Sequence, residues 1–402
     1  MSLGGVSVVS GCLRTSFGDE ETTGRESTEV VEGTEETATV VNTESDTPNQ
    51  REAENWTQYG FDSSNSGYAS GRDGPGRVGG SSSKLINPGD SFAIYDDELF
   101  GDGNKYQIPL NSSNRVEIAD RMSHTMIHRG RLYMTGTGED GKVGKVGAFE
   151  LDGTQIWSRT FQPGDDGRSF PMWSPAAAGD TIYQATGDGT FHAIDASTGD
   201  TQWKYDLGWQ KRLTPAIKNG LIHVPGRETV ALSQDGEEKW TRSLEFSSCP
   251  TVGDDTVYYF GNIRTKDTQG LFALNATNGS VEWSVDLGPM GYEGLRNIAI
   301  DDSKVYVNSN DKMSAVEKSD GRIAWQSQLR RPGEVRVTER HVYGAGRGSS
   351  SGGIKAFDKE TGEELWSEII NSPIQTEPVI SHNSVYIGSY KTYVFSEPQK
   401  QT

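Results

Sequence analysis

Two series of side chains in this 402-residue chain have types and spacing that can do chemistry. The first is a set of arginines, Arg168, Arg212, Arg227, Arg264, Arg296, Arg330, Arg331 and Arg347. Brought to one face, their guanidinium forks would suit a carboxylate or phosphate ligand. Asp165, Asp166, Glu293, Glu334 and Glu377 occur in the same stretches, so the competing outcome is a set of salt-bridged loops on a solvated face. The second series is His124, Ser174, Thr214, Cys249, Asn297, Glu334 and Glu377. Converging, two glutamates, an asparagine and a histidine can hold a cation or ordered water. No metal is expected, because local ligand spacing is missing, and Cys249 reads as a small packing residue. No residue stands in a recognisable catalytic motif.

Either series converges only if a regular framework places it, and the sequence contains one. Glycine, then three residues, then tryptophan recurs at Gly153/Trp157, Gly199/Trp203, Gly236/Trp240, Gly279/Trp283, Gly321/Trp325 and Gly362/Trp366. Each pair follows a small residue: Ala148, Ala193, Ala231, Ala273, Ala315 or Ala356. Successive tryptophans lie 46, 37, 43, 42 and 41 residues apart, whereas Trp209 is off the repeat. A period near forty implies units that bury their apolar faces on one another. Within one unit, residues 174–207, Gly-Asp, Gly-Asp-Gly and Ser-Thr-Gly turns divide four short alternating strands, here A to D. Four antiparallel strands with an outer tryptophan describe a propeller blade, with D–A and B–C connections at its mouth.

The predicted fold is therefore all-β, a propeller of four-stranded antiparallel blades. Strand-B residues Tyr133, Tyr183, His223, Tyr258, Tyr306, Tyr343 and Tyr386 mark seven blades, but only six have a tryptophan-bearing strand D. The last blade stops after strand C, so its outer strand is expected from residues 84–110. Eight blades is the alternative, with the extra one within residues 70–122.

The chain's front end differs from its body. Val9-Ser10-Gly11-Cys12 matches a lipobox, in which Cys12 takes a lipid anchor. Residues 1–12 read as a short signal segment, although no Lys or Arg precedes Cys12 and a start upstream would supply the basic region. Residues 13–54 read as a disordered acidic tether rich in Glu and Thr. The propeller is assigned to 55–396 and a tail to 397–402. Asn55, Asn111, Asn275 and Asn278 open N-glycosylation triplets. Net charge is −19: residues 19–54 and 55–402 contribute −10 each, and Arg14 contributes +1. An acidic chain disfavours nucleic-acid binding and suits a salt-rich setting.

The sequences "AIDASTGDTQW" (193–203) and "AFDKETGEELW" (356–366) resemble the repeat of the pyrroloquinoline-quinone-like (PQQ-like) β-propellers. "NWTQYGFDSSNSGYA" (55–69) resembles the segment that opens many such domains. The resemblance covers residues 55–396. Its enzymatic branch implies PQQ and Ca²⁺ at the propeller axis, an aspartate base, long inserted loops and, in alcohol oxidation, an adjacent cysteine pair. This chain has short loops and only Cys12 and Cys249. Its other branch comprises BamB-type lipoproteins and kinase sensor domains, which implies docking platforms. The expected function is an extracytoplasmic, membrane-anchored monomeric scaffold for protein partners, with no cofactor. A small quinoprotein dehydrogenase and a sensor of a small anionic ligand are the alternatives.

Overall fold

The computed structural model describes residues 55–398 apart from 80, 85, 88, 109, 111–113, 139–142, 163–172, 209–213, 227, 247, 264–267, 289–297, 310, 331–332, 347 and 349. The described residues form eight antiparallel sheets and no α-helix. Blade 1 comprises Ala93–Tyr95, Glu98–Gly101, Asn104–Gln107 and Val116–Glu117. Blades 2 to 7 span 122–161, 176–206, 216–242, 244–286, 299–328 and 333–370. Blade 8 has Val379–Ser381, Ser384–Gly388 and Thr392–Ser396, and its outer strand is Ser81–Lys84 from the front of the chain. That strand pairs antiparallel with the last one, Ser82 facing Val394 and Lys84 facing Thr392.

The ring thus has eight blades rather than seven, and the eighth lies within the 70–122 window. The borrowed strand is Ser81–Lys84, so the expected stretch 84–110 supplies only its last residue, and residues 93–107 of that stretch belong to blade 1. The reason is chemical. Where blade 3 aligns Tyr183, Ala193 and Trp203 across strands B, C and D, blade 1 aligns Phe100, Lys105 and Val116. Blade 1 therefore lacks the repeat's signature while keeping its pairing.

The two halves of the glycine–tryptophan motif serve different seams. Trp157 of blade 2 donates its indole N–H to the Ala196 carbonyl of blade 3, at 3.0 Å. Its ring lies over Gly199, where a Cβ would sit 2.7 Å from it. The next four tryptophans repeat this on Gly236, Gly279, Gly321 and Gly362, with indole bonds of 2.7–2.9 Å. Each of these glycines also has φ between +69° and +83°, a backbone region in which a side chain is strained. A bulge follows the alanine in all six tryptophan blades. Trp366 has no such C–D turn ahead of it, and it donates instead to the carbonyl of Pro75, at 2.7 Å.

Pro75 belongs to a front segment, 55–79, that winds once around the axis. Inner strands of a propeller leave one row of backbone N–H groups facing the channel, and buried donors need acceptors. Ile94, Ile127, Ile217, Val252, Ile300 and Val337 donate in turn to the carbonyls of Trp56, Thr57, Ser63, Ser64, Ser66 and Gly67, at 2.5–2.9 Å. These donors are equivalent residues of blades 1, 2, 4, 5, 6 and 7, visited in ring order. Blade 8 is met by Arg72, whose guanidinium donates to Ile380 O at 2.8 Å. The segment therefore covers the channel at the A–B end, opposite the mouth.

Candidate functional site

Three residues toward the mouth from those donors, the inner strands carry Ser91, His124, Ser174, Thr214, Cys249, Glu334 and Glu377. This is the polar series read from the sequence, with Ser91 added by blade 1. All seven are at most 4% exposed. They converge on the axis: Ser91 and Ser174, two blades apart, have Oγ atoms 3.1 Å from each other. The His124 ring meets Trp173 edge-on at 5.2 Å, and its Nδ1 lies 3.1 Å from Ser123 Oγ. Asn297 lies outside the described residues.

The carboxylates are taken up by the chain itself. Arg336, two residues beyond Glu334 on the same inner strand, is fully buried and forms an ion pair with Glu377. Glu377 also accepts from Gly60 N at 3.2 Å, and Glu334 accepts from the Tyr59 hydroxyl at 3.3 Å. The guanidinium stands 5.7 Å from the Trp56 ring and 5.8 Å from the Tyr59 ring, within cation–π range. Burial pushes the Arg336 pKa down, and the Glu334 charge pushes it back up. An internal arginine thus occupies the place expected for a cation.

The front segment is shaped for this position. Asp62 accepts from Ser64 N, Ser64 Oγ, Ser66 N and Ser66 Oγ at 2.6–3.0 Å, which fixes a tight turn. Asn65, at φ +54°, donates its amide to the carbonyls of Pro215 and Pro250, at 3.1 Å each. One side chain thereby ties blade 4 to blade 5.

A quinone with a divalent ion at the axis does not fit these residues. Both glutamates have partners within the chain, Arg336 on Glu377 and the Tyr59 hydroxyl on Glu334. Among the described residues, no group of three His, Cys, Asp or Glu side chains is placed to hold a metal.

Of the sequence candidates, the structure brings together Glu334 and Glu377. Arg330 is exposed in the connection between blades 6 and 7, at the mouth end. Arg168, Arg212, Arg227, Arg264, Arg296, Arg331 and Arg347 lie outside the described residues, as does Cys12. The six repeat tryptophans Trp157, Trp203, Trp240, Trp283, Trp325 and Trp366 are seam residues, as their spacing predicts. Sequence reading missed Arg336, Tyr59, Asp62 and Asn65. Arg336 had a signal, being a charge amid the valines of an inner strand, "GEVRV" (333–337).

A profile of the family described as outer membrane protein assembly factor BamB matches residues 142–241 and 226–402, and the chain belongs to that family. An outer membrane protein assembly factor BamB from Burkholderia pseudomallei is 24% identical over 303 residues, covering 61% of this chain and 77% of the relative. A lupanine 17-hydroxylase from a Pseudomonas species is 28% identical over 134 residues, covering 29% of this chain and 19% of that enzyme. The solved BamB of Moraxella catarrhalis superposes with a TM-score of 0.58 at 16% identity, over 80% of this chain and 99% of that one.

Proposed function

We propose that this protein is an extracytoplasmic docking scaffold, lipid-anchored through Cys12 on the 13–54 tether, that holds protein partners on its mouth and rim. The observation that carries the reading is the axis as the described residues form it: Arg336 and Tyr59 hold the two glutamates that a bound cation would need, and the front segment covers the channel at its A–B end. Membership of a family described as an assembly factor supports protein partners. Fold alone assigns no activity; the partners of Glu334 and Glu377 separate the two readings. The mouth arginines are then contact residues for acidic partner surfaces, which steer association more than they tighten it.

The test places a photo-crosslinking residue at Arg330, on the mouth, or at Asp180, exposed at the A–B end, in the full chain expressed in its own type of host. Discrete protein adducts from position 330, found in the membrane fraction and released from it by Cys12→Ser, are expected. Absence of adducts at both positions, together with saturable binding of PQQ and Ca²⁺ by the purified protein, would overturn the scaffold in favour of a quinoprotein.

A further inference from the structure

Eight seams separate the blades, and among the described residues seven take a large apolar side chain from the outer edge of the preceding blade. Six hold a tryptophan. At the seam between blades 1 and 2, Ile118 takes that role, lying 3.6 Å from where a Cβ on Gly153 would stand. The seam between blades 8 and 1 differs. Across blade 8, Tyr386 pairs with Val394 and Val394 with Ser82, so a serine occupies the tryptophan's position on the borrowed strand. Facing it is a cleft of about 510 Å³, walled by Tyr386, Val394, Ile108 and Leu110, with Asp97 and His382 paired at 2.7 Å on its rim.

The far wall of this cleft is built like the others. In blade 3, Ala196 N donates to Asp180 O at 2.9 Å, and the Ala196 carbonyl accepts the incoming indole. Blades 5, 6 and 7 repeat this with Ala276, Lys318 and Lys359. In blade 1 the same backbone bond runs from Ile108 N to Asp97 O, at 2.8 Å. The Ile108 carbonyl therefore stands where an indole acceptor stands elsewhere in the ring. On the near wall, Tyr386 matches the tyrosines whose rings lie about 6 Å from the indoles of Trp157, Trp203, Trp283, Trp325 and Trp366; Tyr386 and Leu110 are both buried in one apolar cluster, so a ring that reaches the tyrosine has to push Leu110 aside.

We propose that the seam between blades 8 and 1 is a docking pocket for a tryptophan side chain of a protein partner, presented on an extended segment beside Ser81–Lys84. The occupant is specified by the molecule's own six filled copies: an aromatic ring against a strand-B tyrosine, with its N–H on the carbonyl across the seam. The cleft lies within the size range of built ligand pockets, and buried tryptophans are common anchors of protein interfaces. The outer strand offers an edge along which such a segment can lie. That the tryptophan arrives on a protein rests on the scaffold reading; the pocket rests on the seam geometry.

The test uses the full chain with ¹³C-labelled Ile, Leu and Val methyls, titrated with N-acetyl-tryptophanamide and, separately, with N-acetyl-leucinamide. Saturable ring-current shifts confined to the methyls of Ile108, Leu110 and Val394, given by the tryptophan probe alone, are expected. Ser82→Trp should fill the slot from within, raise Tm and abolish those shifts. Unmoved methyls in the wild type, or shifts that persist in a folded Ser82→Trp protein, would overturn the pocket. If Ser82→Trp does not fold, the wild-type titration decides by itself. A silent titration leaves the crosslinks at position 330 as the separate measure of the scaffold.

Discussion

His223 stands in the one tryptophan-bearing blade whose strand-B aromatic is not a tyrosine, and it should make this propeller lose stability in acid. The ring is fully buried and lies 5.7 Å from the Trp240 indole. Neither ring nitrogen has a hydrogen-bond partner among the described residues. Burial pushes its pKa down to about 4. The folded protein thus binds this proton less readily than the unfolded chain, whose histidines titrate near 6.5. Stability from this group is complete above about pH 6.5 and falls as the pH drops toward 4, where the loss levels off. With those two values, linkage gives a loss of about 2 kcal/mol between pH 7 and pH 5.

The perturbation that isolates the effect is His223→Tyr, which restores the residue used by the equivalent blades. Urea denaturation of wild type and variant at pH 7 and pH 5 gives two differences. The variant's should be smaller by about 2 kcal/mol, whatever the substitution does at pH 7 itself. His192, also held down to about 4 by burial, remains in both proteins and sets the residual slope. Equal pH slopes in the two proteins would refute the argument, since a buried neutral histidine cannot be replaced without changing proton uptake on unfolding.

Two further predictions follow from the axis and the borrowed strand. Glu377→Ala should destabilise by about 3–5 kcal/mol by leaving Arg336 buried without its ion pair, whereas Arg336→Met with Glu377→Leu should cost far less in the same denaturation assay; equal costs would show that the pair is not what the site depends on. A chain beginning at Asn55 should melt like the whole protein, while one beginning at Phe92 loses both the axial segment and Ser81–Lys84 and should aggregate from the exposed edge at Thr392–Ser396, as read by light scattering; a soluble monomer with an unchanged Tm would refute the closure.

What was legible in the sequence is what repeats. The glycine–tryptophan offset located six seams, because Gly199, Gly236, Gly279, Gly321 and Gly362 each lie under the tryptophan of the preceding blade, where a Cβ has no room. The polar series was legible too, since aligning strand B also aligns strand A, and its six described members lie at one level of the axis. Blade 1 was not legible as a blade, because Phe100, Lys105 and Val116 meet the pairing without the signature. The borrowed strand, "SSSK" (81–84), carries almost no apolar pattern, being an edge whose register is fixed by its partner. The front segment has no strand periodicity because its hydrogen bonds run to seven different blades. Arg336 was missed because its partner Glu377 is 41 residues away and meets it only through the ring.

These omissions share a cause. A closed ring of similar blades has similar seams, and the chain must break that similarity where its two ends meet. In blades 2 to 7, strand D follows strand C through a glycine turn, so each seam receives its tryptophan from the same local sequence. Blade 8 has no such turn. Its outer strand arrives from the opposite end of the chain, after the front segment has covered the channel and Pro75 has supplied the carbonyl that Trp366 would otherwise lack. The strand that reaches the last seam therefore brings Ser82 instead of an indole, while the facing wall of blade 1 keeps the acceptor geometry. The place where covalent connectivity fails is thus the one seam left for another chain to complete, which is why the tryptophan pocket belongs there and at no other blade.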